Sequence, residues 1–190
     1  MMNKVGCYIH IPFCEKKCYY CDFAAFPNLE NRIELYIKNL IKEIGIYRER
    51  MDVVIDSIYI GGGTPSYINP RFIEKIIDEI YKFKNDIREF TIEANPKSLN
   101  KEKLKIYKNL GINRISLGVQ SFDDDVLKKI GRNHTRKTAI KDIEMIRNAG
   151  FDNLSFDLML NLPGQDFSSV KKDLDMVKKL MPKHISWYSL

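Results

Sequence analysis

The feature that most restricts the fold of this 190-residue chain is a regular alternation of two hydrophobic patterns. Short runs rich in β-branched residues, typical of strands, alternate with longer amphipathic stretches, typical of helices. The predicted strands cover residues 5–11, 53–60, 89–93, 113–119, 153–160 and 184–189. The predicted helices cover residues 29–50, 70–84, 100–109, 123–130, 135–148 and 167–180.

Six strands joined by connections of crossover length predict a parallel α/β sheet. The strands are near-continuous apolar runs, which indicates that both faces of the sheet are covered. Two architectures remain open at this point: a doubly wound sheet, and a (β/α) barrel or partial barrel. No Gly-x-Gly-x-x-Gly follows the first strand, which disfavours a dinucleotide-binding domain.

Composition excludes several classes of protein. The chain is 44% hydrophobic and 29% charged, as expected of a globular domain. No apolar stretch approaches the ~20 residues of a membrane span, and the short N-terminal one lacks a small-residue cleavage site, so we expect a cytoplasmic protein. The net charge of +6 comes largely from lysines mixed with acids on the predicted helices, so no nucleic-acid partner is expected.

The chain stops at or just after the sixth strand, without a closing helix. No interdomain linker or low-complexity segment occurs within it. We therefore expect residues 1–190 to form one domain, an N-terminal fragment of a longer protein whose C-terminal region is missing.

A cluster of three cysteines follows the first strand. Cys14, Cys18 and Cys21 are spaced so that one loop could wrap them around a single small group, and the fourth cysteine, Cys7, lies within the strand. A closed structural zinc site needs four ligands. A [4Fe–4S] cluster held by three thiolates keeps one iron free to bind a substrate or cofactor. The number of ligands therefore favours an iron–sulfur cluster, and Cys7 is expected to be a buried structural thiol.

Unusual residues follow the other strands, at the edge of the sheet where parallel α/β proteins bind ligands. Residues 61–65, GGGTP, contain three consecutive glycines, which favours the close approach of a ligand over a simple tight turn. Glu93 ends the third strand, where it could pair with a cation or bind ribose hydroxyls. Gln120 ends the fourth strand with an amide suited to bidentate hydrogen bonds.

Four further side chains are candidates for the same site. Asp157 lies within the apolar fifth strand, where an unpaired carboxylate would be costly, so it needs a partner or a ligand. Arg132 is a candidate partner for a carboxylate. Tyr8 and His10 are two residues apart and share a face of the first strand, either toward the site or as packed core residues.

These residues together resemble the radical S-adenosylmethionine (SAM) superfamily. Within it, the chain resembles the oxygen-independent coproporphyrinogen III oxidase-like branch over nearly its whole length. The resemblance rests on segments 8–14 (YIHIPFC), 14–21 (CEKKCYYC), 61–65 (GGGTP), 93–96 (EANP), 118–122 (GVQSF) and 157–164 (DLMLNLPG).

The resemblance implies a parallel (β/α)6 partial TIM-type barrel, the radical SAM core. It implies that Cys14, Cys18 and Cys21 hold a [4Fe–4S] cluster whose fourth iron binds SAM. An electron from the cluster, supplied by a donor such as flavodoxin or ferredoxin, would cleave SAM to a 5′-deoxyadenosyl radical that abstracts hydrogen from a substrate.

The resemblance also implies roles for residues outside the cysteine run. Contacts to the cluster-bound SAM are expected from Tyr8, Gly62, Gly63, Thr64 and Glu93. Tyr20 matches an aromatic position that packs near SAM. Residues Gln120, Arg132 and Asp157 match positions that bind SAM or a second SAM molecule.

One departure from the oxidases distinguishes two functions. The oxidases carry a further cysteine two residues after the third ligand, and this position is Phe23 here. Asp22 and Phe23, which end the cysteine run, resemble instead the same positions in the HemW-type haem chaperone subgroup. Members of that subgroup bind haem and transfer it to acceptor proteins. A haem chaperone is therefore expected. The alternative is an oxygen-independent coproporphyrinogen III oxidase, an oxidoreductase that converts two propionates of a porphyrinogen to vinyl groups. A structural zinc module is the third hypothesis.

Overall fold

The computed structural model describes residues 3–190. Its strands are β1 (Asn3–Ile11), β2 (Phe13–Cys14), β3 (Phe26–Pro27), β4 (Val53–Gly62), β5 (Lys84–Ala94), β6 (Arg114–Gln120), β7 (Asn153–Leu160) and β8 (His184–Ser189). Its helices are α1 (Ile33–Arg50), α2 (Pro70–Ile80), α3 (Lys101–Asn109), α4 (Asp124–Lys129), α5 (Arg136–Asn148) and α6 (Phe167–Leu180).

Six of the strands form one parallel sheet in the order β1-β4-β5-β6-β7-β8. Each neighbour in the sheet is also the next long strand along the chain, and helices make the crossovers. This sequential order is that of a partial barrel, whereas a doubly wound sheet reverses its order at a switch point. The predicted partial TIM-type barrel is thus confirmed, and the doubly wound alternative is wrong.

Local capping determines where the helices begin. Asn100 accepts a hydrogen bond from the Lys103 backbone N–H, and Thr135 forms a capping box with Thr138. The predicted helix at residues 70–84 is too long, because α2 ends at Ile80 and the chain turns into β5 at Lys84.

The two faces of the sheet differ in chemistry. Ile58, Phe90 and Phe156, with most other buried strand residues, belong to one hydrophobic core that also includes helix residues. On the other face, Glu93, Ser116, Ser155 and His184 align in register across β5 to β8. The face that carries this polar row is also covered at Ser116 and Ser155, which are 2% and 0% exposed, so covered faces here do not require apolar side chains on both sides.

The cysteine-bearing segment is fixed at both ends. The two-residue strands β2 and β3, which the sequence did not predict, pair in parallel and place Cys14 opposite Pro27. In the middle of the segment, the Tyr19 backbone N–H donates to the Ile130 carbonyl at 3.2 Å. The loop is thereby attached to the C-terminal end of α4. Within residues 3–190, no helix is long and apolar enough to cross a membrane.

Candidate functional site

A cavity of about 110 Å³ lies at the C-terminal ends of the strands, next to the cysteine loop. It brings together side chains or backbone from the cysteine loop and from the ends of β4, β5, β6, β7 and β8. The predicted site residues that line it are Cys14, Cys18, Cys21, Tyr20, Gly62, Gly63, Thr64, Glu93, Gln120, Arg132 and Asp157. The other two candidates, Tyr8 and His10, are not among its lining residues.

The three thiols of the loop surround this cavity. Cys14 is buried, and its Sγ lies 3.4 Å from the Thr64 hydroxyl. Burial raises the pKa of the Cys14 thiol, and the Thr64 hydroxyl and the Arg132 charge oppose that increase. The guanidinium of Arg132 donates to Cys18 Sγ at 3.5 Å. A hydrogen-bond donor and a cation are thus already placed where thiolates would need stabilisation.

The arrangement of the thiols bears on the kind of metal centre. In the described part of the chain, no group of three or more His, Cys, Asp or Glu side chains is placed to hold a metal ion. A zinc ion needs all of its ligands at about 2.0–2.3 Å from one point. Cys14, Cys18 and Cys21 all line one cavity, where a group larger than a single ion, such as a [4Fe–4S] cluster, could contact all three thiols.

Cys7 lies apart from these three thiols. It is half-buried and packs against the hydrophobic core, which includes its strand neighbour Ile9. Desolvation raises the pKa of the Cys7 thiol. Cys7 therefore has the surroundings of a structural thiol and does not line the cavity, although it is half-buried where the sequence predicted full burial.

Residues 61–65, which we call the glycine loop, pack tightly against the segment that joins β1 to the cysteines. The Gly63 backbone N–H donates to the Ile11 carbonyl at 2.8 Å. A Cβ at Gly63 would lie 2.8 Å from the Phe13 carbonyl oxygen and 2.9 Å from Cys14 Sγ, and Gly62 has a φ of +122°. Close approach of the cysteine loop therefore already requires these glycines. A ligand is not needed to explain them, although both glycines line the cavity.

Glu93 is held by two hydrogen bonds at the end of β5. Its carboxylate accepts from the Tyr59 hydroxyl at 2.7 Å and from the Gly62 backbone N–H at 3.0 Å. Desolvation nevertheless raises the pKa of Glu93, and the two hydrogen bonds only partly offset it. The carboxylate thus fixes the glycine loop relative to the sheet, where the sequence predicted only a cation or ribose hydroxyls as partners.

Asp157 and Gln120 form the opposite wall. Asp157 accepts a hydrogen bond from the Ser116 hydroxyl at 2.9 Å, and burial raises its pKa. Gln120 has a φ of +67°, a backbone conformation uncommon outside glycine, and its amide oxygen accepts from the Tyr188 hydroxyl at 3.1 Å. The sequence predicted that Asp157 needs a partner or a ligand, and in the structure this partner is the hydroxyl of Ser116.

Arg132 differs from its prediction. It makes no ion pair with a carboxylate in residues 3–190, and its Nη2 donates instead to Asn95 Oδ1 at 2.7 Å and to the Gly118 carbonyl. Arg132 thus has no carboxylate partner among the described residues, and its guanidinium lies among the amide and carbonyl oxygens at the ends of β5 and β6. Its Nε is buried without a hydrogen-bond partner among the described residues. This leaves one donor available to a ligand.

Two aromatic residues have mixed surroundings. Tyr20 lines the cavity and also packs against the small apolar cluster that includes Ile130 and Met159. Tyr8 stacks on Tyr59 and is 58% exposed. Its hydroxyl lies 3.1 Å from His10 Nδ1.

His10 has a structural contact. Its Nε2 lies 2.9 Å from the Ala24 carbonyl, which can only accept, so Nε2 donates and ties β1 to the end of the cysteine loop. His10 shares the face of Tyr8, as predicted, but it does not line the cavity with the thiols.

Sequence reasoning missed three contributors to the site. Tyr59 contacts Glu93, Asn95 bonds to both Thr64 and Arg132, and Tyr188 bonds to Gln120. Tyr59 could have been found because it is two residues before Gly61 and therefore shares its face. For Tyr188, the sequence offered no indication of a site role other than its position near the end of the last strand.

Comparison with known families agrees with this geometry. The profile of the Radical SAM superfamily matches residues 8–177. The structure of coproporphyrinogen III oxidase (HemN) from Escherichia coli superposes with a TM-score of 0.91 at 27% identity, covering 99% of this chain and 44% of that one.

Curated relatives give the same superfamily. The haem chaperone HemW of Bacillus subtilis is 41% identical over 187 residues, which are 96% of this chain and 49% of the relative. The oxygen-independent coproporphyrinogen-III oxidase-like protein HemZ of the same organism is 34% identical, over 99% of this chain and 39% of the relative. The chain thus spans about half the length, or less, of these relatives. Their similarity, together with the profile and the cysteine-lined cavity, shows that the chain belongs to the radical SAM superfamily.

Proposed function

We propose that Cys14, Cys18 and Cys21 ligate a [4Fe–4S] cluster in the cavity. Membership of the superfamily implies both this cluster and SAM as cofactors. The donor set supports the assignment, because three thiols surround one cavity next to the Arg132 guanidinium. When bound, the cluster supplies an electron for cleavage of SAM, and a flavodoxin or ferredoxin is a suitable source of that electron.

SAM would lie beside the cluster against the ends of the strands. Backbone groups of Gly62 and Gly63 and the hydroxyl of Thr64 line the side of the cavity next to Cys14. Polar groups of Glu93, Gln120 and Asp157 also line it, and the Nε of Arg132, which has no hydrogen-bond partner among the described residues, offers a donor. Tyr20 also lines the cavity, while Tyr8 stacks on Tyr59, whose hydroxyl donates to Glu93. Such a set of convergent polar groups suits the charged and hydroxyl-bearing parts of SAM.

The function supported best is that of a haem chaperone, which binds haem and transfers it to an acceptor protein. The observation that carries this proposal is the similarity to HemW proteins, at 39% to 42% identity in five bacterial strains. Phe23, which replaces the extra cysteine of the oxidases, supports the same choice. It is 65% exposed and lines the cavity.

Oxidation of coproporphyrinogen III is the second candidate. The close superposition on Escherichia coli HemN favours it, because the catalytic domain of an oxidase would need the same scaffold. Whether the chain is an enzyme therefore depends on what the full-length protein does with a porphyrin.

One experiment separates the two candidates. Full-length protein with a reconstituted cluster is incubated without oxygen with SAM, dithionite and coproporphyrinogen III, and separately with haem followed by an apo-acceptor haem protein. We expect stoichiometric haem binding, transfer to the acceptor and no protoporphyrinogen. Repeated turnover of the porphyrinogen would contradict the chaperone proposal, and haem binding without turnover would exclude the oxidase.

A further inference from the structure

The guanidinium of Arg132 joins three parts of the site. Its Nη1 donates to Cys18 Sγ, while its Nη2 donates to Asn95 Oδ1 and to the Gly118 carbonyl. These acceptors belong to the cysteine loop, the end of β5 and β6. Because a guanidinium is a rigid planar fork, the two oxygen contacts of Nη2 fix the direction in which Nη1 points. The contact with sulfur is therefore built into the fold.

The charge of Arg132 also lacks a carboxylate partner. No ion pair involves it in residues 3–190, and its oxygen acceptors are neutral. The sulfur atoms of the cysteine loop are thus the anionic groups available to it when they are deprotonated.

Hydrogen bonds to cluster sulfurs and the net charge around a cluster are two of the factors that determine its reduction potential. Reduction adds one electron, so a fixed cation and an N–H donor at a ligand sulfur stabilise the reduced form more than the oxidised form. We propose that Arg132 is a positioning residue that acts through Cys18 to make the cluster easier to reduce. The inference rests on the proposed ligation of the cluster by Cys18.

The test is a redox titration of the full-length protein with its cluster reconstituted and without SAM. Dithionite supplies one electron to the cluster, with no bond made or broken. For Arg132→Gln, we expect the ratio of reduced to oxidised cluster at a fixed potential to fall about tenfold. This corresponds to a midpoint about 59 mV more negative.

Lys97→Gln is the matched control. Lys97 lines the neighbouring cavity of about 210 Å³, which Cys18 and Arg132 also line, but its Nζ donates to the Asn133 carbonyl at 3.0 Å. Its substitution removes a nearby charge without removing a hydrogen bond to sulfur, and we expect a change of less than about threefold. Equal changes in the two variants would show a general charge effect and overturn the role of the hydrogen bond.

Arg132→Lys is a second variant that tests the proposal if Arg132→Gln fails to retain the cluster. It keeps the charge and removes the planar fork, so an intermediate shift is expected. If a variant at Arg132 retains the cluster and its potential equals that of the wild type, this inference alone is wrong. If the wild-type protein binds no iron, the proposed cluster site fails first, and the inference fails with it.

Discussion

The Tyr59 hydroxyl donates to Glu93 Oε1 at 2.7 Å, and the other oxygen of the same carboxylate accepts from the backbone of Gly62. This contact connects β4, β5 and the glycine loop through one partly buried charge. Burial and the Glu93 charge both raise the pKa of Tyr59, so its phenol stays protonated and remains a hydrogen-bond donor. The position of the glycine loop therefore depends on a side chain that does not itself line the cavity.

Removing that hydroxyl should weaken both the fold and the site. For Tyr59→Phe, we expect the free energy of unfolding to fall by about 1–2 kcal/mol, because a desolvated carboxylate loses a donor. SAM affinity, measured by calorimetry, should fall as well. In the control Tyr81→Phe, the lost hydrogen bond goes to the Leu110 carbonyl far from the site, so SAM affinity should not change. Unchanged SAM affinity in Tyr59→Phe would show that the loop keeps its position without Tyr59.

Asp157 should make stability depend on pH. Burial raises its pKa, so the native state retains this proton to a higher pH than the unfolded chain. From the ordinary Asp pKa of about 3.9 up to the raised native value, the native state binds more protons, and the free energy of unfolding falls as pH rises. Asp157→Asn removes this titration. The variant should therefore gain stability relative to the wild type through that window, as measured by urea unfolding at a series of pH values.

Asp86→Asn is the control of opposite sign. The Asp86 carboxylate is exposed and bonds to Lys4, and that hydrogen bond lowers its pKa. Its contribution is present above the ordinary pKa and is lost as pH falls, so this variant should lose stability relative to the wild type as pH rises. A change of the same sign in both variants would contradict the assignment for Asp157.

Gly63 should tolerate no side chain. A Cβ there would lie within 3 Å of the Phe13 carbonyl oxygen and of Cys14 Sγ, so Gly63→Ala must change the packing of residue 63 against the segment that carries the first cysteine. We expect reconstituted Gly63→Ala to lose most of its iron, as measured by iron and sulfide analysis. In Gly45→Ala, within α1, the nearest atom to the new Cβ is 3.9 Å away. That variant should retain its iron and gain up to about 1 kcal/mol of stability.

The cysteines themselves give a direct comparison. Replacing Cys14, Cys18 or Cys21 with Ala should abolish the cluster and its broad absorption near ~400 nm, because each thiol lines the cavity. Cys7→Ala should retain both, since Cys7 packs against the core. Loss of iron in Cys7→Ala alone would contradict the ligand assignment.

Asp173 on α6 should be important for stability although it lies outside the cavity. It is 1% exposed and accepts hydrogen bonds from the Ser121 hydroxyl, the Phe122 backbone N–H and the Gln165 amide. Asp173→Asn places an amide donor against these donors and should lower the free energy of unfolding by about 2–3 kcal/mol. Asp175→Asn, on an exposed position of the same helix, should change it by less than about 0.5 kcal/mol. Comparable losses in the two variants would show that the buried network contributes little.

Hydrophobic periodicity, capping residues and cysteine spacing by themselves determined the parallel (β/α) order and the set of strand-end residues. These features are local, so β7, α6 and β8 have the bounds that the sequence predicted. Only the tertiary structure decided which partners those residues have. Arg132 bonds to the side-chain amide oxygen of Asn95 and to the thiol of Cys18, Glu93 holds the glycine loop, and Asp173 bonds to Ser121. Each of these contacts joins residues at least 31 positions apart. Pairing at such separation depends on how strands and loops meet in space, which no local pattern in the chain specifies.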